Sequence, residues 1–177
     1  MKTIILKTAF ILFRAFISST AFAQFTISNF NGVQYLKIPS GYRFIKHGSP
    51  TANFNQTGIN PDGRIYSTNR RYFLVYQVSG ALIVAGKLVL YKSSTNEILW
   101  SSGNMGAGSC LMQTDGNLVV YKESYEQYNP IRDLNPCWSS NTHGNNGAFL
   151  ALQDDGNLVI YNSSNTRALW ASGTNGR

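Results

Sequence analysis

The chain is 177 residues long, 43% hydrophobic and 13% charged, with a formal net charge of +7. That length holds one domain or one and a half. Its basic residues form no cluster and accompany no known binding motif, which argues against a nucleic-acid partner, and no stretch reaches the ~18 uninterrupted apolar residues of a membrane span.

The first element is a leader. "MKTIILKTAFILFRAFISSTAFAQF" opens on Lys2, runs through apolar residues broken by Lys7 and Arg14, and reaches Ala21-Phe22-Ala23 before Gln24. This pattern predicts a secretory signal peptide over 1–23, hence a secreted or extracytoplasmic protein; a buried N-terminal helix is the alternative. The chain from Gln24 onward keeps 12 basic and 8 acidic residues. Residues 24–71 hold Lys37, Arg43, Lys46, Arg64, Arg70 and Arg71 against Asp62 alone, and the rest is close to neutral. Such a basic stretch is either a contact for an anionic surface or a solvated face. Its pieces are β-like and turn-rich, and they either add strands to the repeats of residues 72–177 or cover one face of them.

From residue 72 the chain repeats itself. "IVAGKLVLY" (Ile83 to Tyr91), "QTDGNLVVY" (Gln113 to Tyr121) and "QDDGNLVIY" (Gln153 to Tyr161) are each followed by a tryptophan and small residues, at Trp100, Trp138 and Trp170. Tyrosine to tryptophan is nine residues in the outer two repeats and 17 in the middle one, which carries an insertion, "KESYEQYNPIRDLNPCW". The Leu-Val-x-Tyr runs are β-formers and Gly, Asn, Ser and Asp mark turns, while no window keeps a 3.6-residue apolar period. Units this short bury no face alone. An all-β threefold arrangement results, with the three tryptophans filling a shared core.

Read as a strand, each nine-residue stretch alternates. Leu118 and Val120, like Leu158 and Ile160, point to the core, and Gln113, Asp115, Asn117, Val119 and Tyr121 face out. That outward set accepts from and donates to adjacent hydroxyls, with valine as a small apolar patch, which suits a neutral sugar. One copy reads equally well as a solvated turn; two copies agreeing at every outward position favour binding.

Q-x-D-x-N-x-V-x-Y, matched in full by both stretches, resembles the sugar-binding motif of the bulb-type mannose-binding lectins. The resemblance spans about residues 72–177, one family domain. It implies a type II β-prism of three four-stranded antiparallel sheets with pseudo-threefold symmetry, and binding of mannose or mannose-rich glycans without metal or cofactor. By the family's pattern Asp115 and Asn117 hold the axial 2-hydroxyl, Gln113 the 3-hydroxyl and Tyr121 the 4-hydroxyl, with Val119 on the ring. Gln153, Asp155, Asn157, Val159 and Tyr161 repeat these roles. The first unit has Ile83, Ala85 and Lys87 where the polar groups stand and is expected to be a structural face. Family members often dimerise, so a homodimer is possible. Cys110 matches a family cysteine whose usual partner position is Gly86 here, and a Cys110–Cys137 bridge is the expectation. Export would place both in an oxidising compartment, and a bridge there would add about 3–4 kcal/mol; two buried thiols are the alternative.

Other chemistry is poorly represented. His47 and His143 give the cysteines no zinc spacing, no nucleophile or phosphate-loop motif occurs, and Asp115 and Asp155 have matching companions where a catalytic pair needs different ones. The expectation is therefore a non-enzymatic lectin. Asn55-Gln56-Thr57 and Asn162-Ser163-Ser164 are glycosylation tripeptides, and Tyr125 and Tyr128 are candidates to extend the nearby site. The competing reading is a bacteriocin-like or surface factor that contacts a protein or anionic envelope component through its basic 24–71 segment.

Overall fold

The computed structural model describes residues 25–44, 63–79, 85–103, 105–106, 108–123 and 134–177. The leader, His47, the Asn55 tripeptide, Ile83, Tyr125 and Tyr128 lie outside them. In chain order the strands are β1 (Thr26–Phe30), β2 (Val33–Ile38), β3 (Tyr42–Phe44), β4 (Ile65–Tyr66), β5 (Tyr72–Ser79), β6 (Ala85–Lys92) and β7 (Glu97–Ser101). Next come β8 (Met105–Gly106), β9 (Gly108–Met112), β10 (Leu118–Glu123), β11 (Leu134–Ser139), β12 (Phe149–Gln153), β13 (Leu158–Tyr161) and β14 (Ala168–Ala171). No helix among the described residues is long and apolar enough to cross a membrane.

The strands form three antiparallel sheets, as expected of the all-β prism. The first unit is β4-β5-β6-β7 with β8 on β6, the second is β11-β10-β9-β3, and the third is β1-β2-β12-β13-β14. Two of the sheets are five-stranded, not four-stranded. The segment 24–71 adds strands to all three, β4 pairing with β5, β3 with β9, and β2 with β12, and the first sheet gains β8 on β6 as well.

The core is what the repeats encode. Leu88 and Leu90, Leu118 and Val120, and Leu158 and Ile160 are all buried in one cluster. Each unit also carries the same irregularity. The pairing register slips just before the motif tyrosine, between Leu90 and Tyr91, Val120 and Tyr121, and Ile160 and Tyr161. One residue on the facing strand is left over each time: Leu99, Cys137 and Leu169. Such a bulge bends the strand and brings the following tryptophan to the axis. There Trp100, Trp138 and Trp170 meet edge to face, with ring centroids 5.3–5.9 Å apart.

This arrangement corrects the expected disulfide. Both cysteines are thiols. Cys110 faces Val120 from β9, the place held by Leu74 opposite Leu90 and by Leu150 opposite Ile160. Cys137 is the bulge residue on β11, equivalent to Leu99 and Leu169, and its Sγ donates to the Val120 carbonyl at 3.2 Å. Strand β10 lies between them, two strand spacings of roughly 4.8 Å each, beyond the ~7 Å Cα limit of a bridge. Two positions filled by leucine elsewhere are here filled by thiols. Burial, with Cys137 nearby, pushes the Cys110 thiol far above its ordinary range, so it stays protonated and inert.

Candidate sugar-binding turn

Most of the polar half of each motif is a turn and not a strand, although Gln153 still ends β12. Gln113 comes directly after β9, and β10 begins only at Leu118. Asp115 Oδ1 accepts from the Asn117 N–H at 3.0 Å, Gly116 N–H donates to the Gln113 carbonyl at 3.1 Å, and Gln113 N–H closes the loop on the Asn117 carbonyl at 2.8 Å. The third unit repeats these bonds at 2.9, 3.1 and 2.9 Å with Asp155, Gly156, Gln153 and Asn157. Strand alternation therefore places only Val119 and Tyr121; an aspartate-capped turn places the rest.

Glycine is required at the centre. Gly116 has φ +91°, and a Cβ there would lie 2.2 Å from the Asn145 carbonyl oxygen, itself held by the Ala148 N–H. Gly116→Ala is expected to cost about 2 kcal/mol through strain and the forced shift of that loop, measurable by urea denaturation.

Asn117 is clamped by one end. Its Oδ1 accepts from Ser140 Oγ at 3.0 Å and from Thr142 N–H at 3.1 Å, while Thr142 Oγ1 donates to the Gly116 carbonyl at 2.7 Å. Ser172 and Thr174 do the same for Asn157 and Gly156. These supporting residues are missed by the sequence reading, although Ser-x-Thr two residues after the tryptophan occurs in both units. The clamp leaves the Asn117 amide as a donor. Gln113 Nε2 donates to the Tyr121 hydroxyl at 2.6 Å, a bond that passes over Val119, which is 3% exposed. Among the described residues, Asp115 Oδ2, Asn117 Nδ2 and the Tyr121 hydroxyl proton have no partner. An acceptor and a donor thus stand on a half-buried turn, with a second donor on the strand that follows it.

The third unit has the same bonds under a cover. Gln153 is 5% exposed, Tyr161 4% and Val159 2%, against half-buried Gln113 and Tyr121. The β1–β2 hairpin is responsible. Tyr35 stands opposite Gln153 in the register of β2 and β12 and stacks near Tyr161 and Phe149, both at 6.0 Å, while Phe30 lies 5.0 Å from Tyr161. Burial raises the Tyr161 hydroxyl above its ordinary range. The two motifs, expected to present equal outward faces, are thus unequal. Asp155 and Asn157 remain half-buried, but their glutamine and tyrosine are closed off.

Other candidates take ordinary roles. Asp154 accepts from Thr68 Oγ1 and from Asn69 N–H at 3.0 Å, tying the third-unit turn to the first sheet. His143 is an exposed turn residue. The Asn162 amide donates to Ser164 and Thr166 at 2.9 Å each, so a glycan there would displace both bonds. Four cations of the 24–71 segment lie over aromatic rings: Lys37 over Phe149 at 4.1 Å, Arg64 over Phe73 and Arg70 over Tyr66 at 4.7 Å, and Arg71 over Tyr72 at 5.9 Å.

No protein-family model and no curated protein matches the chain. Solved structures do. A Japanese Marasmius oreades lectin superposes with a TM-score of 0.54 and 24% identity over 78% of this chain and 90% of that one. A monomeric monocot mannose-binding lectin from Gastrodia elata gives 0.50 and 29% over 78% and 97%. The mannose-specific agglutinin of snowdrop (Galanthus nivalis) bulbs, solved with methyl-α-D-mannoside, shares 41% identity over 41% of this chain and 60% of its own, at a TM-score of 0.32.

Proposed function

We propose that this chain, which has the fold of the bulb-type mannose-binding lectins, is an exported carbohydrate-binding protein that takes a mannose-type hexose at the Gln113–Tyr121 turn. One observation carries the reading. The second-unit turn carries an unpartnered acceptor, Asp115 Oδ2, and an unpartnered donor, Asn117 Nδ2, with the Tyr121 hydroxyl as a second donor on the strand that follows, while the Oδ1 atoms of Asp115 and Asn117 are already bonded within the protein. A sugar hydroxyl donates to a carboxylate while accepting from an amide, so a preorganised pair of this kind fits a hexose diol. The naming of the Gastrodia elata structure as a mannose-binding lectin supports mannose as the first sugar to test.

The basic segment has a structural role: its strands pair into all three sheets, and four of its cations lie over aromatic rings. The chain is a binder with no catalytic step. With one open turn of the two, its affinity for a single sugar is set by a handful of hydroxyl contacts, about millimolar. Stronger capture of a glycan needs several copies acting together.

The test is binding of the chain to a mannose-rich glycan surface with methyl α-mannoside as competitor. Binding is expected to be displaced at millimolar mannoside. A folded protein that ignores the surface would refute the proposal.

A further inference from the structure

The first unit holds a rebuilt version of the same face. Linear alignment puts Ile83 where Gln113 stands; strand pairing puts Gln77 there. Gln113 lies across from Asn117 at the mouth of the β9–β10 hairpin. In the longer β5–β6 hairpin the residue across from Lys87, the counterpart of Asn117, is Gln77. Gln77 Nε2 donates to the Tyr91 hydroxyl at 2.8 Å, as Gln113 does to Tyr121 at 2.6 Å. Val75 and Val89 form the buried floor, and Phe73 stacks on Tyr91 at 4.9 Å with Tyr66 beside it at 5.6 Å. The scaffold of the face is therefore complete. What differs is the charge: the positions of Asp115 and Asn117 are Ala85 and Lys87.

We infer that this face is a second saccharide site whose ligand bears an anionic group, a carboxylate or a sulfate, recognised by Lys87. The inference rests on the lectin reading in taking the ligand to be a sugar. The acceptor carboxylate is gone, so a neutral diol loses its partner. The Asp-Gly-Asn turn is gone too, since Ala85 and Gly86 are in a ladder between β5 and β8. An ammonium stands instead, half-buried and without an ion-pair partner among the described residues. It lies on the same strand face as Val89 and Tyr91, spaced roughly 6–7 Å apart. That spacing lets an anionic substituent reach Lys87 while a ring hydroxyl meets the half-buried Tyr91; the Phe73 and Tyr66 rings beyond it are already covered by Arg64 and Arg70. Lysine recognises such a group as a compact point charge, indifferent to the planarity a guanidinium reads. The outer sheet faces then divide by charge: a neutral-sugar turn in the second unit, an acidic-sugar face in the first.

Titration of the full chain, tracked by backbone amide chemical shifts, tests this with methyl glucuronide, glucose 6-sulfate, neutral methyl glucoside and methyl α-mannoside. The glucuronide or the sulfate is expected to move Gln77, Lys87 and Tyr91, and whichever binds identifies the anionic group. Neutral glucoside leaves those amides still. Lys87→Gln, which keeps the stem and removes the charge, weakens the acidic sugar about tenfold, and added salt weakens it as well. Acidic-sugar shifts that persist in Lys87→Gln, or equal shifts with neutral glucoside, overturn the inference. Mannoside shifts at Gln113–Tyr121 with no acidic-sugar response overturn it while leaving the lectin reading intact. An acidic-sugar response at Lys87 with no mannoside response supports it and refutes the second-unit proposal. Silence with all four sugars removes both.

Discussion

Asp115→Ala is expected to weaken glycan binding by roughly 10–150-fold, the loss of about 1.5–3 kcal/mol from one charged hydrogen-bond partner, whereas Asp155→Ala is expected to leave binding at the parent level. The two aspartates are a controlled pair. Each accepts from the N–H two residues on, at 3.0 Å from Asn117 and 2.9 Å from Asn157, so each substitution removes the same turn bond and costs a similar ~1 kcal/mol of stability. On the ligand side their surroundings differ. Tyr121 is half-buried, while Tyr161 sits among Phe30, Tyr35 and Phe149. Matched urea denaturation and unmatched binding would separate a role in the turn from a role in recognition. Equal loss of binding in the two variants would mean that the β1–β2 hairpin leaves its place to admit a sugar, and the covered state of the third unit would be wrong.

The sequence makes legible whatever the repeats state locally. Alternation assigns Leu118, Val120, Leu158 and Ile160 to the core, and they are there. The repeat assigns three tryptophans to a shared centre, and they meet at it. What escapes is non-local. Nothing near Tyr35 says that it will cover a tyrosine 126 positions away, because β1 to β4 are short and carry no copy of the repeat. Gln77 escapes because alignment anchored on the tyrosine assumes equal hairpins, and β5–β6 is the longer one. The turn is half visible: Asp-Gly is a turn signal, but the flanking Leu-Val-x-Tyr extends the strand reading too far back. The cysteines carry a signal of their own. The residue before each tryptophan is Leu99, Cys137 and Leu169, a series that describes an apolar filler better than half of a bridge.

Removing any one tryptophan of the axial triad, each partly buried against the core, is expected to cost about 2–3 kcal/mol as alanine, below the range of a fully buried ring and still a large part of the roughly 5–15 kcal/mol typical of a domain. Each ring touches both others, with centroids 5.4 Å (Trp100–Trp138), 5.3 Å (Trp100–Trp170) and 5.9 Å (Trp138–Trp170) and planes 66–79° apart. Edge-to-face pairs of this kind add about 0.5–1.5 kcal/mol each beyond burial. The triad has a signature that independent core fillers lack. Losing Trp100 breaks two contacts, and losing Trp138 as well breaks only one more, because the contact between them is already gone. A double-mutant cycle should therefore give less than the sum of its singles by one contact, about 0.5–1.5 kcal/mol. Leucine is the substitution to use in the cycle, since it keeps apolar volume and leaves the double variant folded while removing the rings. The same shortfall is expected for all three pairs, measured from urea denaturation. Additive losses in every pair would mean that each tryptophan serves its own sheet, and that the three units are joined by their aliphatic core alone.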